Sequence, residues 1–153
     1  MGVRSQVEAL ILWVCKKQNI DAPKFARLYD VRHSGEYRPN VQTIHYKVAG
    51  YSDIQIVSCL LHELGHHRLN VLYPRRRFSV VWNEYYAEKY SVLTMMRYFA
   101  ESFELYHREQ WRRDLALAKK YYPNHYLAFS TVYYEYERGL LKVNHGNHTF
   151  PYK

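Results

Sequence analysis

Five consecutive residues, His62-Glu63-Leu64-Gly65-His66, have the side-chain types and the spacing of a metal-dependent hydrolase site. Residues four positions apart lie on one face of a helix, so both imidazole rings can reach a single ion at about 2.0–2.1 Å. Glu63 points about a quarter-turn away, where its carboxylate can accept a proton from a water molecule that the metal activates. The pattern predicts a Zn²⁺ site with His62 and His66 as ligands and Glu63 as general base.

The surrounding sequence predicts the helix that must carry this pattern. At about 100° per residue, four apolar side chains fall on the side of the helix opposite the two histidines. These are Val57, Leu60, Leu61 and Leu64. A helix with a buried back and a polar front is what a metal site requires, because the ligands need a rigid support. The alternative, a pair of solvated histidines on a helix surface, is less consistent with this apolar back.

Zinc held by two histidines needs a further protein ligand and one open position. A second apolar helical stretch begins near Trp82, and Glu84 near its start is the predicted third ligand. Glu88, one turn further on, is predicted to orient a ligating histidine through its second ring nitrogen. Small residues on the stripe of Glu84, namely Ala87 and Ser91, would allow the two helices to approach closely. The alternative is that both glutamates belong to a solvated acidic face.

The two motifs together resemble the gluzincin metallopeptidases, in particular the ImmA/IrrE-type members, whose H-E-L-G-H helix is followed by a helix with E-x-x-A-x-x-[FY]-A. The match includes His62 to His66, Glu84, Ala87 and Tyr90, and it departs at Ser91, where the family has alanine. The resemblance covers roughly positions 40 to 100. It implies a minimal zincin-like fold, zinc held by His62, His66 and Glu84, and catalysis by Glu63. It also suggests a DNA-binding regulator of the helix-turn-helix type as the protein substrate.

The segment before the motif helix has the composition of a small antiparallel sheet. Two strand-like runs, 25–31 and 41–48, flank Ser34-Gly35 and Pro39-Asn40, which are typical of a connecting turn. In the second run Ile44 and Tyr46 alternate with polar residues, so one face of this strand is expected to be covered by the metal helix.

An edge strand at this position would have a function in catalysis. An exposed edge can bind an extended peptide through backbone hydrogen bonds, without requiring one peptide sequence. The run 41–48 is therefore predicted to be an edge strand beside the metal, with Ile44, His45 and Tyr46 as substrate-binding residues.

The rest of the chain is predicted to be helical. An amphipathic helix is expected from Glu104 to Tyr122, where Pro123 would end it, and another from His125 to Arg138. With 153 residues and 48% hydrophobic content, the chain has enough apolar surface for a normal core. The predicted fold class is α+β, a mostly helical single domain over residues 1–153 with a small antiparallel sheet beside the motif helix.

Cysteine usage and hydropathy indicate a cytoplasmic protein. Two cysteines, Cys15 and Cys59, are too few for a disulfide framework. The sequence contains no apolar run of 18 residues, so no membrane partner is expected. The N-terminal residues do not have the layout of a signal peptide. Cys59 precedes His62 by three residues and could approach the metal, although a small buried residue is the more common role for such a cysteine.

The formal net charge of +8 is compatible with an acidic partner. Basic residues concentrate at Arg75-Arg76-Arg77, at Arg108, Arg112 and Arg113, and at Lys119-Lys120. Charge alone is weak support for nucleic-acid binding, since no known nucleic-acid-binding pattern accompanies it. A solvated basic surface that keeps the protein soluble is the favoured interpretation.

These features predict a zinc-dependent metallopeptidase acting on a protein or peptide substrate. The oxyanion formed during hydrolysis needs a donor, and Tyr85, Tyr86, Tyr90 and His107 are all candidates. One alternative is a non-catalytic, zinc-stabilised module that binds protein or DNA, but such a site has no need of Glu63. Another is a DNA-associated metalloprotease resembling the SprT type, for which a histidine would be expected as third ligand where this chain offers Glu84.

Overall fold

The computed structural model describes residues 2–29 and 33–143. Its elements are α1 (Val3–Gln18), β1 (Lys24–Arg27), β2 (Gly35–Arg38), β3 (Thr43–Tyr46), α2 (Asp53–Leu72), α3 (Val80–Tyr98), α4 (Ala100–Tyr106), a π-helical segment (His107–Trp111), α5 (Arg112–Tyr121) and α6 (Pro123–Glu137). The predicted class, α+β and mostly helical with a small sheet, is confirmed. Contacts divide the chain into two units, Met1–Pro74 and Arg75–Lys153. One domain over residues 1–153 stays a prediction.

The first unit contains a three-stranded sheet in the order β1-β3-β2. β1 is parallel to β3, with Phe25 opposite Ile44, and β2 is antiparallel to β3, with Tyr37 opposite Ile44. The prediction of an antiparallel sheet was therefore wrong for one of the two strand pairs. Parallel neighbours need a crossover connection rather than a tight turn. The connection between the parallel strands β1 and β3 contains β2, which occupies the segment that was predicted to be a turn.

The prediction that 41–48 forms an edge strand was also wrong. β3 is the central strand and pairs on both sides, so its backbone groups are already used. Ile44 and Tyr46 have 0% and 1% of their surface exposed, and His45 is half-buried. Ile44, His45 and Tyr46 therefore do not offer an open edge to a peptide. Alternating polarity indicates that one face of a strand is covered, but it contains no information about which edges are paired.

Tyr46 connects the sheet to α1. Its ring lies under the Arg4 guanidinium, 4.1 Å from carbon to centroid, and its hydroxyl donates a hydrogen bond to the Glu8 carboxylate. Burial and the neighbouring Glu8 carboxylate raise the pKa of the Tyr46 phenol well above its usual range, so the hydroxyl stays a donor. Val7 and Ile11 of α1 are buried, and α1 packs on α2.

α2 carries the H-E-L-G-H motif and begins at a capping box. The Ser52 hydroxyl accepts a hydrogen bond from the Gln55 backbone N–H at 3.3 Å, and the Ser52 N–H donates to the Gln55 side chain at 3.0 Å. Such a cap contributes about 1 kcal/mol to helix stability. The predicted apolar back is confirmed, because Val57, Leu60, Leu61 and Leu64 are all buried. α2 packs against α1, β2 and β3.

Over its described residues, 75–143, the second unit contains helices and no strand. The Ser79 hydroxyl caps α3 by accepting from the Trp82 N–H at 3.2 Å, and α3 packs mainly on α6. The predicted helix from Glu104 to Tyr122 is interrupted by the π-helical segment, which ends at the buried Trp111. α6 begins at Pro123 rather than after it, because proline fits the first turn of a helix, where its missing N–H is not needed.

In the part of the chain that the structure describes, no helix is both long enough and apolar enough to cross a bilayer.

Candidate metal centre

The ring nitrogens of the two motif histidines face each other. His62 Nε2 and His66 Nε2 are 3.2 Å apart, and the ring centroids are separated by 4.9 Å. Two nitrogens bound to one tetrahedral zinc at about 2.0–2.1 Å would lie about 3.3 Å apart. Both side chains are half-buried, so they are held by the helix yet reach its surface. The separation of the two nitrogens is thus compatible with one shared metal ion, and zinc as that ion stays a prediction.

Glu63 lies beside this pair. It is buried, with 7% of its surface exposed, and a carboxylate oxygen lies within 4.8 Å of the ligand nitrogens of His62 and His66. These three residues form the one cluster of at least three potential metal ligands among residues 2–29 and 33–143. A carboxylate at this position can act on a water molecule next to the histidines, as a general base must.

β2 approaches α2 most closely at Gly35. A Cβ atom built on Gly35 would lie 2.5 Å from Cys59 Sγ and 3.4 Å from Glu63 Cγ. Real Cβ atoms do not approach sulfur at 2.5 Å, so glycine is required for this contact. The start of β2 thus lies directly against the turn of α2 that carries the predicted base.

Gly35→Ala should lower the free energy of unfolding by about 1–3 kcal/mol, because the added methyl group overpacks the contact with Cys59. In a Cys59→Ala background the same change should lower the free energy of unfolding by less, because the sulfur that the methyl group would meet is absent. Urea denaturation of the two single variants and the double variant measures this coupling. Strictly additive free energies would contradict the close contact.

A buried hydrogen-bond chain continues along the same face of α2, around His67, one turn after Glu63. This histidine is fully buried, and its Nε2 is 2.7 Å from the Asp21 backbone carbonyl while its Nδ1 is 2.8 Å from the Tyr37 hydroxyl. Asn70 Nδ2 donates to the same hydroxyl at 3.1 Å. A carbonyl only accepts, so Nε2 carries the proton; burial lowers the pKa of His67 and favours the neutral ring, whose Nδ1 accepts from Tyr37.

Tyr37→Phe should lower the free energy of unfolding by about 1–3 kcal/mol, because it leaves the buried Nδ1 of His67 without a donor. Thermal or urea denaturation measures the change. Tyr29→Phe is the matched control, since Tyr29 is 84% exposed and its hydroxyl is in solvent. Equal stability of the Tyr37 variant and the control would show that the hydrogen-bond chain contributes nothing.

Cys59 does not belong to the ligand cluster, although its position one turn before His62 made it a candidate. Its sulfur lies 3.5 Å from the Ser34 hydroxyl and against Gly35. The structure thus assigns Cys59 to the contact between α2 and β2.

Glu84, the predicted third ligand, lies in the second unit on the first turns of α3. Its carboxylate is largely buried, with 12% side-chain exposure, and Oε1 is 3.4 Å from His125 Nε2 of α6. Glu88 follows one turn later and is half-buried. Ala87 and Ser91 are both buried, and their predicted role in allowing α3 to approach the motif helix stays a prediction. The roles of Glu84 as ligand and of Glu88 in orienting a histidine stay predictions.

The four candidate oxyanion donors all lie in the second unit, where two of them contact glutamates and two are buried. The Tyr85 hydroxyl donates to Glu135 at 2.7 Å, and His107 Nε2 is 3.1 Å from Glu137 Oε1. Tyr86 and Tyr90 are buried in the core of that unit. None of them is singled out as the donor.

Sequence reasoning missed His67, Tyr37, Gly35 and His125. A signal for His67 was present, because it lies seven residues after Leu60 and three after Leu64, on the buried side of α2. Tyr37 and Gly35 were hidden in a segment that resembles a turn. His125 had no signal, since its contact with Glu84 depends on the packing of α6 against α3.

Comparisons of this chain with protein-family models, with curated proteins and with solved structures gave no significant match. The resemblance to the gluzincins therefore rests on the motif residues themselves.

Proposed function

We propose that the protein is a zinc-dependent metallopeptidase that hydrolyses peptide bonds of a protein substrate. The observation that carries the proposal is the 3.2 Å separation of the two histidine Nε2 atoms, with a Glu63 carboxylate oxygen within 4.8 Å of them. A structural zinc site is closed by four ligands and has no need of a buried carboxylate beside them. Glu63 therefore favours catalysis over the zinc-stabilised binding module.

His62 and His66 would hold the ion, with Glu84 as the proposed third ligand. Zinc, when bound, supplies a Lewis acid that makes a water molecule more acidic and polarises the scissile carbonyl. Glu63 accepts the proton of that water and passes it to the nitrogen of the departing amine. The burial of Glu63 fixes its position against Gly35, so that the proton acceptor is in place before the substrate arrives.

We infer that the substrate pairs with β2 rather than with β3. The Ser34 carbonyl accepts a hydrogen bond from the Lys47 N–H at 3.0 Å, so Ser34 and Lys47 are a hydrogen-bonded pair of this antiparallel ladder. Such pairs alternate, and the backbone groups of Gly35 and Tyr37 consequently point away from β3. The strand order gives β2 no second partner among the described residues. An extended peptide at this edge would lie beside Glu63.

Metal-dependent cleavage of a peptide mixture tests the proposed function. Peptides prepared from a whole proteome are incubated with zinc-loaded protein, and new termini are identified by mass spectrometry. We expect cleavage that 1,10-phenanthroline stops and that added zinc restores. Helix-turn-helix regulators are the first intact proteins to try, as the gluzincin resemblance suggests. A zinc-loaded protein that cleaves neither the mixture nor these proteins would favour the non-catalytic alternative, and cleavage insensitive to chelation would refute the zinc mechanism.

An N-methyl scan of a cleaved peptide tests the β2 edge. Methylation removes one backbone N–H at a time, and only alternate residues of a paired strand direct their N–H toward the neighbour. We expect cleavage to decrease at every second position near the scissile bond. A uniform effect at all positions would show that the peptide does not bind as a strand.

A cytoplasmic location is part of the proposal. No disulfide joins Cys15 and Cys59, both of which are in the described chain, and burial raises the pKa of the Cys15 thiol to about 11. Such a thiol stays protonated and unreactive. Two cysteines without a disulfide are typical of a reducing compartment. Fractionation of cells that express the protein, followed by immunoblotting, checks the location; recovery in a secreted fraction would contradict it.

A further inference from the structure

α5 has a strongly asymmetric surface. Its inward side carries the buried Ala118 and follows the buried Trp111. At about 100° per residue, the opposite side is centred on the exposed Ala116. Four exposed cations surround this small residue, Arg112 and Lys119 on one flank and Arg113 and Lys120 on the other. We call these five residues the α5 basic face.

No acidic side chain of α5 neutralises this face. Asp114, the one acidic residue of the helix, is turned inward, where it accepts hydrogen bonds from the Tyr106 hydroxyl at 2.6 Å and from Gln110 at 2.9 Å. Among the described residues, Arg113, Lys119 and Lys120 form no salt bridge. Arg112 uses its Nε to donate to the Tyr133 hydroxyl at 2.9 Å, and the Glu137 carboxylate of α6 also attracts its charge. Its other guanidinium donors remain for a ligand.

Aromatic rings accompany the cations at the end of α5. The Lys120 ammonium lies 5.2 Å from the ring centroid of Tyr121, and Lys119 lies 5.8 Å from that of Tyr126 on α6. Tyr121 is itself 59% exposed. Lys119 and Lys120 remain exposed beside these rings. An exposed aromatic ring can also stack on an unpaired base of a nucleic acid.

We propose that the α5 basic face binds the phosphate backbone of nucleic acid. The face contains two neighbouring pairs of cations, Arg112 with Arg113 and Lys119 with Lys120. Seven residues separate the two pairs, which is about 10 Å along the helix. Duplex DNA carries one negative charge per about 1.7 Å of its axis, so several phosphates lie opposite a face of this length. An extended peptide carries at most one charge per about 3.3 Å, which is about half the charge density of the duplex. The residues of this face are not among those of the proposed peptidase site, and the inference does not rest on that proposal.

The salt dependence of binding tests this inference. Fluorescence anisotropy with a labelled 20-base-pair duplex and a 20-nucleotide single strand gives Kd between 50 and 200 mM salt. Four phosphate contacts predict a slope of log K against log salt of about −3.6 for the duplex and about −2.8 for the single strand. The triple variant Arg113→Gln, Lys119→Gln, Lys120→Gln should reduce the duplex slope to about −0.9 and weaken binding at least tenfold.

The matched control removes the same charge elsewhere. Lys16, Lys17 and Lys24 are exposed in the first unit, and their replacement by glutamine also lowers the net charge by three. We expect this variant to bind within about threefold of the unchanged protein. Equal weakening in both triple variants would show a general effect of net charge and would overturn the assignment to α5.

Two further results would overturn the inference. One is that the unchanged protein does not bind DNA at 50 mM salt, and the other is that it binds polyglutamate or vesicles of anionic lipid as tightly as it binds DNA.

Lysine acetylation provides a measurement that needs no variant. Bound DNA should protect Lys119 and Lys120 from acetylation but leave Lys16 and Lys17 reactive, as mass spectrometry can show. Uniform reactivity at these four lysines would also refute the site.

Discussion

Glu63→Gln should lower the rate of peptide cleavage by at least about 10²–10⁴-fold while zinc content is retained. The amide has the same shape as the carboxylate, so the packing of the side chain against Gly35 is preserved. It cannot accept a proton from water, however, and the departing amine then loses its proton donor as well. Initial rates on the best peptide from the mixture, at equal zinc occupancy, measure the effect.

Glu101→Gln is the matched control for this experiment. Glu101 is exposed on α4, so the same chemical change is made outside α2 and outside the proposed substrate edge at β2. We expect the control to retain nearly full activity and the Glu63 variant to retain the thermal stability of the unchanged protein. Cleavage by the Glu63 variant at a rate close to that of the control would show that another group is the base.

Replacing His62 or His66 by alanine should abolish stoichiometric zinc binding. A protein with about one zinc per chain would lose one of two neighbouring imidazoles, and the remaining nitrogen cannot hold the ion in the same geometry. We expect zinc affinity to fall by more than the 10–100-fold typical of losing a residue that only supports a ligand. Atomic emission spectroscopy after dialysis against a zinc buffer measures the occupancy.

His33→Ala is the control for zinc occupancy, because His33 is an exposed histidine of the same unit and lies outside the cluster. Full occupancy in both the His62 and the His66 variants would refute the metal site. Glu84→Ala tests the third ligand separately. If this variant keeps full zinc affinity, the histidine pair stands and Glu84 belongs only to its contact with His125.

The sequence allowed a reliable prediction of α2 because the information for a helix is local. Leu60, Leu61 and Leu64 repeat at the helical period, and the same count directs His62 and His66 to the opposite side. The facing Nε2 atoms follow from that spacing alone. The burial of Glu63 could not be predicted in this way, because the strand that covers it comes from elsewhere in the chain.

The sheet was predicted poorly because strand pairing is not local. Gly35-Glu36-Tyr37-Arg38 begins with glycine and is followed by proline, a composition typical of turns. Only the pairing with β3 makes it a strand, and glycine is present there because Cys59 leaves no room for a side chain. Gly35 is required for a close contact between β2 and α2, but in the sequence it is indistinguishable from a glycine of a turn.

The hydrogen bonds of His67 also determine the rotational setting of α2. With the ring fixed at Nε2 by Asp21 and at Nδ1 by Tyr37, the helix resists turning about its own axis. Side-chain atoms lie about 5–6 Å from a helix axis, so a 10° roll would displace the Nε2 atoms of His62 and His66 by about 1 Å. Such a roll moves both histidines together, so it changes their position relative to β2 and not the distance between them; functional geometry tolerates about 0.5 Å. His67, which lies outside the proposed ligand set, would therefore set the angle at which the two proposed ligands face β2.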